Sequence, residues 1–180
     1  HTTQPFNPAV PQGDQNEPFV KFLTEVSMEK CPPAVFSVSY SDNEDSVSHS
    51  YAKRCSTEFM KSGLRGISLL VATGDNGFEG ALAAPGCAKN VPTFPASSPY
   101  ITAVGGTEWA EFNGDSMGKE TGDPLGSAGF SNIFDTPMYQ TEEVQHWLDI
   151  GNKAGDSAFN KAGRGYPDIS ALSTIHSTDY

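Results

Sequence analysis

The chain has 180 residues, 37% hydrophobic and 18% charged, which is enough apolar material for a packed core and argues against global disorder. Its length suits one domain or most of one. A net charge of −11 and a sequence pI near 4.6 speak against nucleic acid or an anionic membrane surface as partner, and no apolar run is long enough to span a bilayer.

His1 to Gln15 is polar, carries three prolines and a glycine, and reads as a loop. It has neither an initiator Met nor the basic-then-apolar pattern of a signal peptide, so a processed or truncated N-terminus is expected. The stretch NEPFVKFLTEVSMEK, from Asn16, predicts a helix. Asn16 serves as N-cap, and Pro18 sits in the first turn, where its missing N–H costs nothing. Phe19, Phe22, Leu23 and Val26 share one face. Cys31-Pro32-Pro33 ends the helix, and AVFSVSY, Ala34 to Tyr40, is a β-prone run expected as a buried strand. An amphipathic helix follows from about Glu44 to Leu64, with Val47, Tyr51, Phe59, Met60 and Leu64 on its buried stripe. Gly66 precedes ISLLVAT, Ile67 to Thr73, a second buried strand. Two nearly all-apolar strands joined by a helix predict a parallel βαβ unit.

After Gly77 the texture changes. Phe78 to Pro99 reads as a Gly/Pro-rich loop, YITAVGGT from Tyr100 as a third strand, and Glu108 to Asp123 as a polar stretch. QTEEVQHWLDI, from Gln140, predicts a short helix with Val144, Trp147 and Leu148 as its apolar face, and GRGYPDISAL leads toward a further strand. There is no internal repeat and no low-complexity tract.

In open parallel α/β sheets, functional residues lie just beyond the carboxyl ends of strands. Two such ends stand out, VSYS (Val38 to Ser41) and ATGDNG (Ala72 to Gly77). Belonging to one βαβ unit, they should lie side by side as two walls of a cleft. Asp75 stands out between its glycines. An Asp-Asn-Gly stretch after a strand is ordinarily a turn, but flanking glycines also leave the carboxyl uncovered and the backbone free to approach a ligand.

Other motifs carry less. GDSMG, Gly114 to Gly118, fits the G-x-S-x-G nucleophile elbow, but TEWAEFN before it is too polar for a buried strand and KETGDP after it cannot form a helix. GDNGFEG lacks the G-x-G-x-x-G spacing and a Walker lysine, so a nucleotide-binding domain ranks low. The four histidines show no metal-like pairing, and His49 and His146 fall on predicted helices as surface residues. Cys31, Cys55 and Cys87 have no CxxC spacing and argue against zinc; a Cys31–Cys55 bridge is left open. Glu44 and Asp45 read as N-terminal cap and dipole residues of the long helix; Arg164 and Asp168 are charged residues in a Gly/Pro turn. No N-x-S/T sequon occurs.

Several blocks, in order and with similar spacing from about Glu17 to Ala171, resemble the catalytic domain of the sedolisins, the serine-carboxyl peptidases, and most of all their lysosomal tripeptidyl-peptidase branch. They are VSYSDNEDSVSHSYAKRCSTEFMKSGLRGISLLVATGDNG, PTFPASSPYITAVGGT, GFSNIF and GRGYPDISAL. The resemblance implies an α/β fold, a subtilisin-like parallel sheet flanked by helices on both faces, of which residues 1–180 are the central portion. It implies a Ser nucleophile, a Glu base, an Asp that orients the Glu, and a second Asp in the oxyanion hole. TGDNG places Asp75 in that last, catalytic role. Ser39, Tyr40 and Ser41 would run beside the substrate backbone, and Thr73 and Gly74 would line the opposite wall. For Arg164 and Asp168 the resemblance implies a structural ion pair or turn clamp. The family more often has Gly where this chain has Ser41, and GGGFS where it has SAGFS, Ser127 to Ser131.

The S-G-T-S nucleophile motif is absent, as is the family's E-x-x-x-D helix ahead of the segment matched by NEPFVKFL. The chain alone is therefore expected to be inactive, and the complete enzyme to release tripeptides from free peptide N-termini in acid. The resemblance further implies peptide substrates, a propeptide in the precursor, a lysosomal or secreted acidic location, and calcium in the complete enzyme, bound outside this chain. Within the chain no cofactor or metal is expected. Cys87 would pair with a cysteine outside it. The alternative reading is a non-catalytic homologue that serves as a binding or structural module.

Overall fold

The computed structural model describes residues 18–78, 89–110, 119–151 and 158–174. Helix α1 (Phe19–Met28) starts directly after Pro18, whose carbonyl accepts the first helical bond from Phe22 N at 3.0 Å. Pro18 therefore holds the cap position rather than the first turn, and Asn16 lies outside the described residues. Strand β1 (Val35–Val38), helix α2 (His49–Leu64) and strand β3 (Ser68–Ala72) form the expected unit. β1 and β3 pair in parallel, with Val35 opposite Ser68 and Val38 opposite Val71.

Strand β5 (Thr102–Ala110) is the member that the rest of the sheet shares. β3 pairs with its start in parallel, Leu70 opposite Thr102, and β9 (Ile169–Thr174) pairs in parallel along Val104 to Glu108. β6 (Lys119–Gly122) adds an antiparallel strand along Thr107 to Ala110, inside the stretch whose polarity gave no strand signal. Two small antiparallel pairs stand apart: β2 (Asp42–Asn43) with β4 (Thr93–Phe94), and β7 (Gly129–Asp135) with β8 (Gly163–Tyr166). Helix α3 (Thr141–Gly151) lies against the second pair, where Phe130 meets Trp147 at 5.3 Å between ring centroids. The result is the expected α/β architecture, a mainly parallel sheet with flanking helices.

Close approach at the centre of β5 depends on missing side chains. A Cβ on Gly105 would lie 2.9 Å from Pro167 Cγ, and one on Gly106 would lie 3.1 Å from Asp123 Cβ. The adjoining Tyr166-Pro167-Asp168 turn is clamped as the sequence led us to expect. Asp168 Oδ2 accepts from Ala103 N at 2.7 Å and from Arg164 Nη2 at 2.5 Å, while Arg164 is fully buried.

The main core gathers on Phe19, whose ring meets Tyr40, Phe59 and Phe94 edge-on at 5.9, 6.0 and 6.1 Å. Leu23, Val71 and Ala103 close it from α1, β3 and β5. Burying one such large apolar side chain contributes roughly 1.5–3 kcal/mol. β1 differs from expectation: it is an edge strand with Val35 55% exposed, because among the described residues only β3 pairs with it.

The long helix also starts later than its amphipathic pattern indicated. Ser48 Oγ accepts from Tyr51 N at 3.3 Å as the true N-cap, and Val47 is extended. Its buried face is Ala52, Cys55, Phe59 and Ser62. Leu64, two positions and about 200° further round, is 82% exposed.

Glu44 corrects the cap assignment outright. It lies in a single 3-10 turn, Glu44–Ser46, and is 1% exposed. Its carboxylate accepts from Ser131 Oγ at 2.5 Å and from Asn132 N at 2.7 Å. Ser131 Oγ in turn accepts from Ile133 N and Phe134 N. A buried carboxylate survives only with such partners. Neighbouring Asp45 is exposed.

Cys31 is exposed and Cys55 buried, both as free thiols, so the bridge left open by the sequence is not formed. Cys87 lies outside the described residues. Burial pushes the Cys55 thiol up to about 11 and the Tyr51 phenol beside it up to about 12.

Three outcomes are expected. Glu44→Ala leaves the Ser131 hydroxyl and the Asn132 N–H without their acceptor and should cost about 2–4 kcal/mol in urea denaturation, with Glu44→Gln retaining part of the loss. Because both pKa values are raised on folding, the Cys55 contribution to stability is complete below the unfolded thiol pKa of about 8.5 and is lost as pH rises through about 11, and the Tyr51 contribution is complete below about 10 and is lost toward about 12, so the urea midpoint should fall with pH over that range. With Cys87 replaced by Ser, Ellman's reagent at pH 8 should titrate Cys31 in the native protein and Cys55 only after unfolding.

Candidate active site

The pairing of Val38 with Val71 brings the chain out of β1 and β3 at the same end of the sheet. Ser39, Tyr40 and Ser41 leave from one strand, and Thr73, Gly74 and Asp75 from the other. Ser39 is exposed and Ser41 half-buried, while the Tyr40 ring packs edge-on against Phe19 at 5.9 Å. Thr73 is buried: its N–H donates to Val104 O at 3.2 Å, and its carbonyl accepts from Thr93 Oγ1 at 2.7 Å. The Thr93 N–H donates to the Tyr166 hydroxyl at 2.8 Å. Burial holds the Tyr166 phenol above its usual range, so this link stays neutral.

Gly74 has φ +103°, a conformation that L side chains rarely adopt. A Cβ there would sit 2.7 Å from Ser41 Oγ and 3.1 Å from Ser127 Oγ. The two walls therefore meet at this glycine, with one hydroxyl from each side. The added bulk at position 127 is turned inward, since Ser127 is 1% exposed.

The backbone around Asp75 is held at successive points. Ser127 N donates to Gly74 O at 3.0 Å, Asn76 N donates to Ser127 Oγ at 3.1 Å, and Gly77 N donates to Leu125 O at 3.0 Å. Asp75 itself is exposed, and among the described residues no hydrogen bond or ion pair ties down its carboxyl. The arrangement is a fixed turn that presents one free carboxyl. Ionised, that group only accepts hydrogen bonds; protonated, it donates one.

A cavity of about 720 Å³ lies elsewhere, between α3 and the β7–β8 pair, lined by Phe78, Phe130, Val144, Trp147, Tyr166 and Pro167 among others. It is apolar, and Asp75 and Ser39 to Ser41 do not line it. Two exposed carboxyls, Glu143 and Asp168, also line it, and Asp168 is engaged by Arg164 and Ala103. Among the described residues no group of three His, Cys, Asp or Glu converges as a metal site. No helix among them is long and apolar enough to cross a membrane. His49 and His146 are exposed, and GDSMG lies outside the described residues.

Thr93, Tyr166 and Leu125 were not singled out from the sequence, and Ser127 was noticed only as a departure from GGGFS. Their bonds to the turn and to each other cross 20, 51 and 73 residues, and no local pattern encodes such distances.

The chain is similar to proteins of known activity. It is 45% identical over 161 residues to Tripeptidyl-peptidase 1 of Rattus norvegicus, which covers 89% of this chain and 28% of that protein. It is 45% identical over 158 residues to the Homo sapiens protein of the same name, covering 87% of this chain and 28% of that one. The chain thus spans 28% of the length of these relatives. Among solved structures it resembles a Pseudomonas sedolisin, a serine-carboxyl proteinase complexed with pseudo-iodotyrostatin, with a TM-score of 0.59 at 22% identity over 84% of this chain and 40% of that one. That likeness establishes the fold. No protein-family model matches the chain.

Gly74→Ala should destabilise the protein by about 1–3 kcal/mol through its positive φ, seen as a lower urea midpoint. Adding Ser41→Gly should recover only the smaller part due to the hydroxyl contact.

Proposed function

The chain belongs to the sedolisin family, and from that premise we propose that the complete protein is an acid-acting serine-carboxyl peptidase that releases tripeptides from free peptide N-termini. One observation carries the proposal: an exposed, untethered carboxyl on a backbone-fixed turn at the joint carboxyl ends of β1 and β3, in a chain 45% identical to Tripeptidyl-peptidase 1.

Acyl transfer through a serine ester passes through a tetrahedral intermediate with negative charge on the former carbonyl oxygen. Stabilising that charge requires a donor aimed at the oxyanion. Asp75 supplies it in the protonated state. A free aspartate titrates at about pH 3.9, so this chemistry favours acid. Gly74 lets the backbone come close to substrate, and Ser39, Tyr40, Ser41 and Thr73 form the surroundings of the scissile bond. The nucleophilic Ser, the Glu base and its Asp partner are assigned to sequence outside this chain. An acidic compartment, lysosomal or secreted, a propeptide, and calcium bound outside this chain belong to the same proposal.

In the complete protein, Asp75→Ala should lower kcat by about 10²–10³, the typical cost of one oxyanion donor. Asp75→Asn keeps a donor that needs no proton, so it should retain part of the activity and move the optimum upward in pH. Tripeptide release from a free-N-terminus fluorogenic peptide across a pH series measures both. An Asn variant with an unaltered profile would remove Asp75 from the oxyanion hole. A complete protein with no peptide hydrolysis at any pH would favour a binding module.

A further inference from the structure

Among the described residues Asp75 is held through its backbone alone, so whatever holds that backbone sets where its carboxyl is carried. The residues on either side of it both bond to one residue, Ser127, the first to its backbone N–H and the second to its hydroxyl. Ser127 takes the Asn76 N–H on its hydroxyl at 3.1 Å and gives its own N–H to the Gly74 carbonyl at 3.0 Å. It is 1% exposed, and its Oγ would lie 3.1 Å from a Cβ on Gly74, so it fills the back of the turn.

Ser127 is itself anchored. Gly126 N donates to Asp123 O at 2.9 Å, and Leu125 N donates to Asp123 Oδ1 at 2.9 Å, which closes a tight turn. Asp123 N donates to Gly106 O in β5 at 3.1 Å, and Asp123 Oδ2 accepts from Ser173 Oγ in β9 at 2.6 Å. The path from Asp75 to the sheet centre is therefore a chain of short bonds through Ser127.

We propose that Ser127 is a positioning residue that brackets Asp75 and sets the aim of its carboxyl. The proposal rests on the reading of Asp75 as oxyanion donor. A glycine at position 127 keeps the backbone bond to Gly74 O but offers no acceptor to the Asn76 N–H. The hydroxyl is thus an added constraint on the turn, and oxyanion donors act only within a few tenths of an ångström of their productive place.

The test uses Ser127→Ala and Ser127→Gly in the complete protein. Amide exchange at Asn76 should rise roughly 5-fold or more, the equivalent of one lost hydrogen bond, while exchange at Val71 in β3 stays as it was. With a tripeptide-releasing fluorogenic substrate, kcat should fall roughly 3- to 30-fold, less than on removing the donor itself, with KM unchanged. In an Asp75→Ala background the same substitutions should leave the residual kcat where it is, because Ser127 acts through Asp75.

Unaltered Asn76 exchange in both variants overturns the bracket. Faster exchange with unaltered kcat overturns its catalytic consequence, as does a fall in kcat that persists without the Asp75 carboxyl. A parent protein that hydrolyses no peptide is a different failure: it overturns the peptidase reading and the catalytic consequence with it, and Asn76 exchange then judges the bracket as a structural device.

Discussion

Strand β5 must satisfy three partners with nine residues, and the architecture follows from how it does so. Its first residues bond to β3, its middle to β9 and its end to β6. A strand bonded this heavily cannot slip, because a one-residue shift would turn Ala103 out of the core and break several registers at once. Gly105 and Gly106 lie where the crowding is greatest, and the turns carrying Pro167 and Asp123 press against them. Each of those turns then fixes something distant: the first holds the Arg164–Asp168 pair, the second the segment that reaches Ser127.

The fold was legible where local pattern and tertiary burial agree. The apolar run Leu69 to Val71 and the helix before it announced a parallel βαβ unit, and the register of β1 with β3 matches it. Legibility failed where one long-range partner outweighed local pattern. Glu44 carries the chemistry of a helix cap, but its carboxyl accepts instead from Ser131 Oγ and Asn132 N, 87 and 88 residues away. The amphipathic stripe ran through Val47 and Ser48 without showing that Ser48 caps the helix. Strand β6 was hidden because its sequence, Lys-Glu-Thr-Gly, follows only hydrogen bonding to β5. At the candidate site, Asp75 and its glycines were visible as a turn and acquired a role from the resemblance. The bonds that hold the turn were invisible, since they join residues with no spacing rule between them.

Two carboxylates illustrate how surroundings divide one chemical group into two uses. Glu44 is buried, and its two carboxyl oxygens are engaged by Ser131 and Asn132 of β7. Asp75 is exposed and unengaged among the described residues, on a backbone that is engaged at every neighbouring position. The first arrangement gives rigidity to the carboxylate itself. The second leaves the carboxyl uncovered while restricting the backbone that carries it, the arrangement that the proposed oxyanion role requires.

The Gly74–Gly77 turn is therefore not a portable motif. Its conformation is written by Thr93, Leu125 and Ser127, which arrive from separate parts of the chain. A synthetic peptide containing TGDNG, or the same five residues grafted onto another strand end, would keep the composition and lose the shape. An antibody raised against such a peptide would meet a different surface on the folded protein, and a designer seeking to transplant the carboxyl would have to carry over the strand, the Asp123 turn and Ser127 as one block.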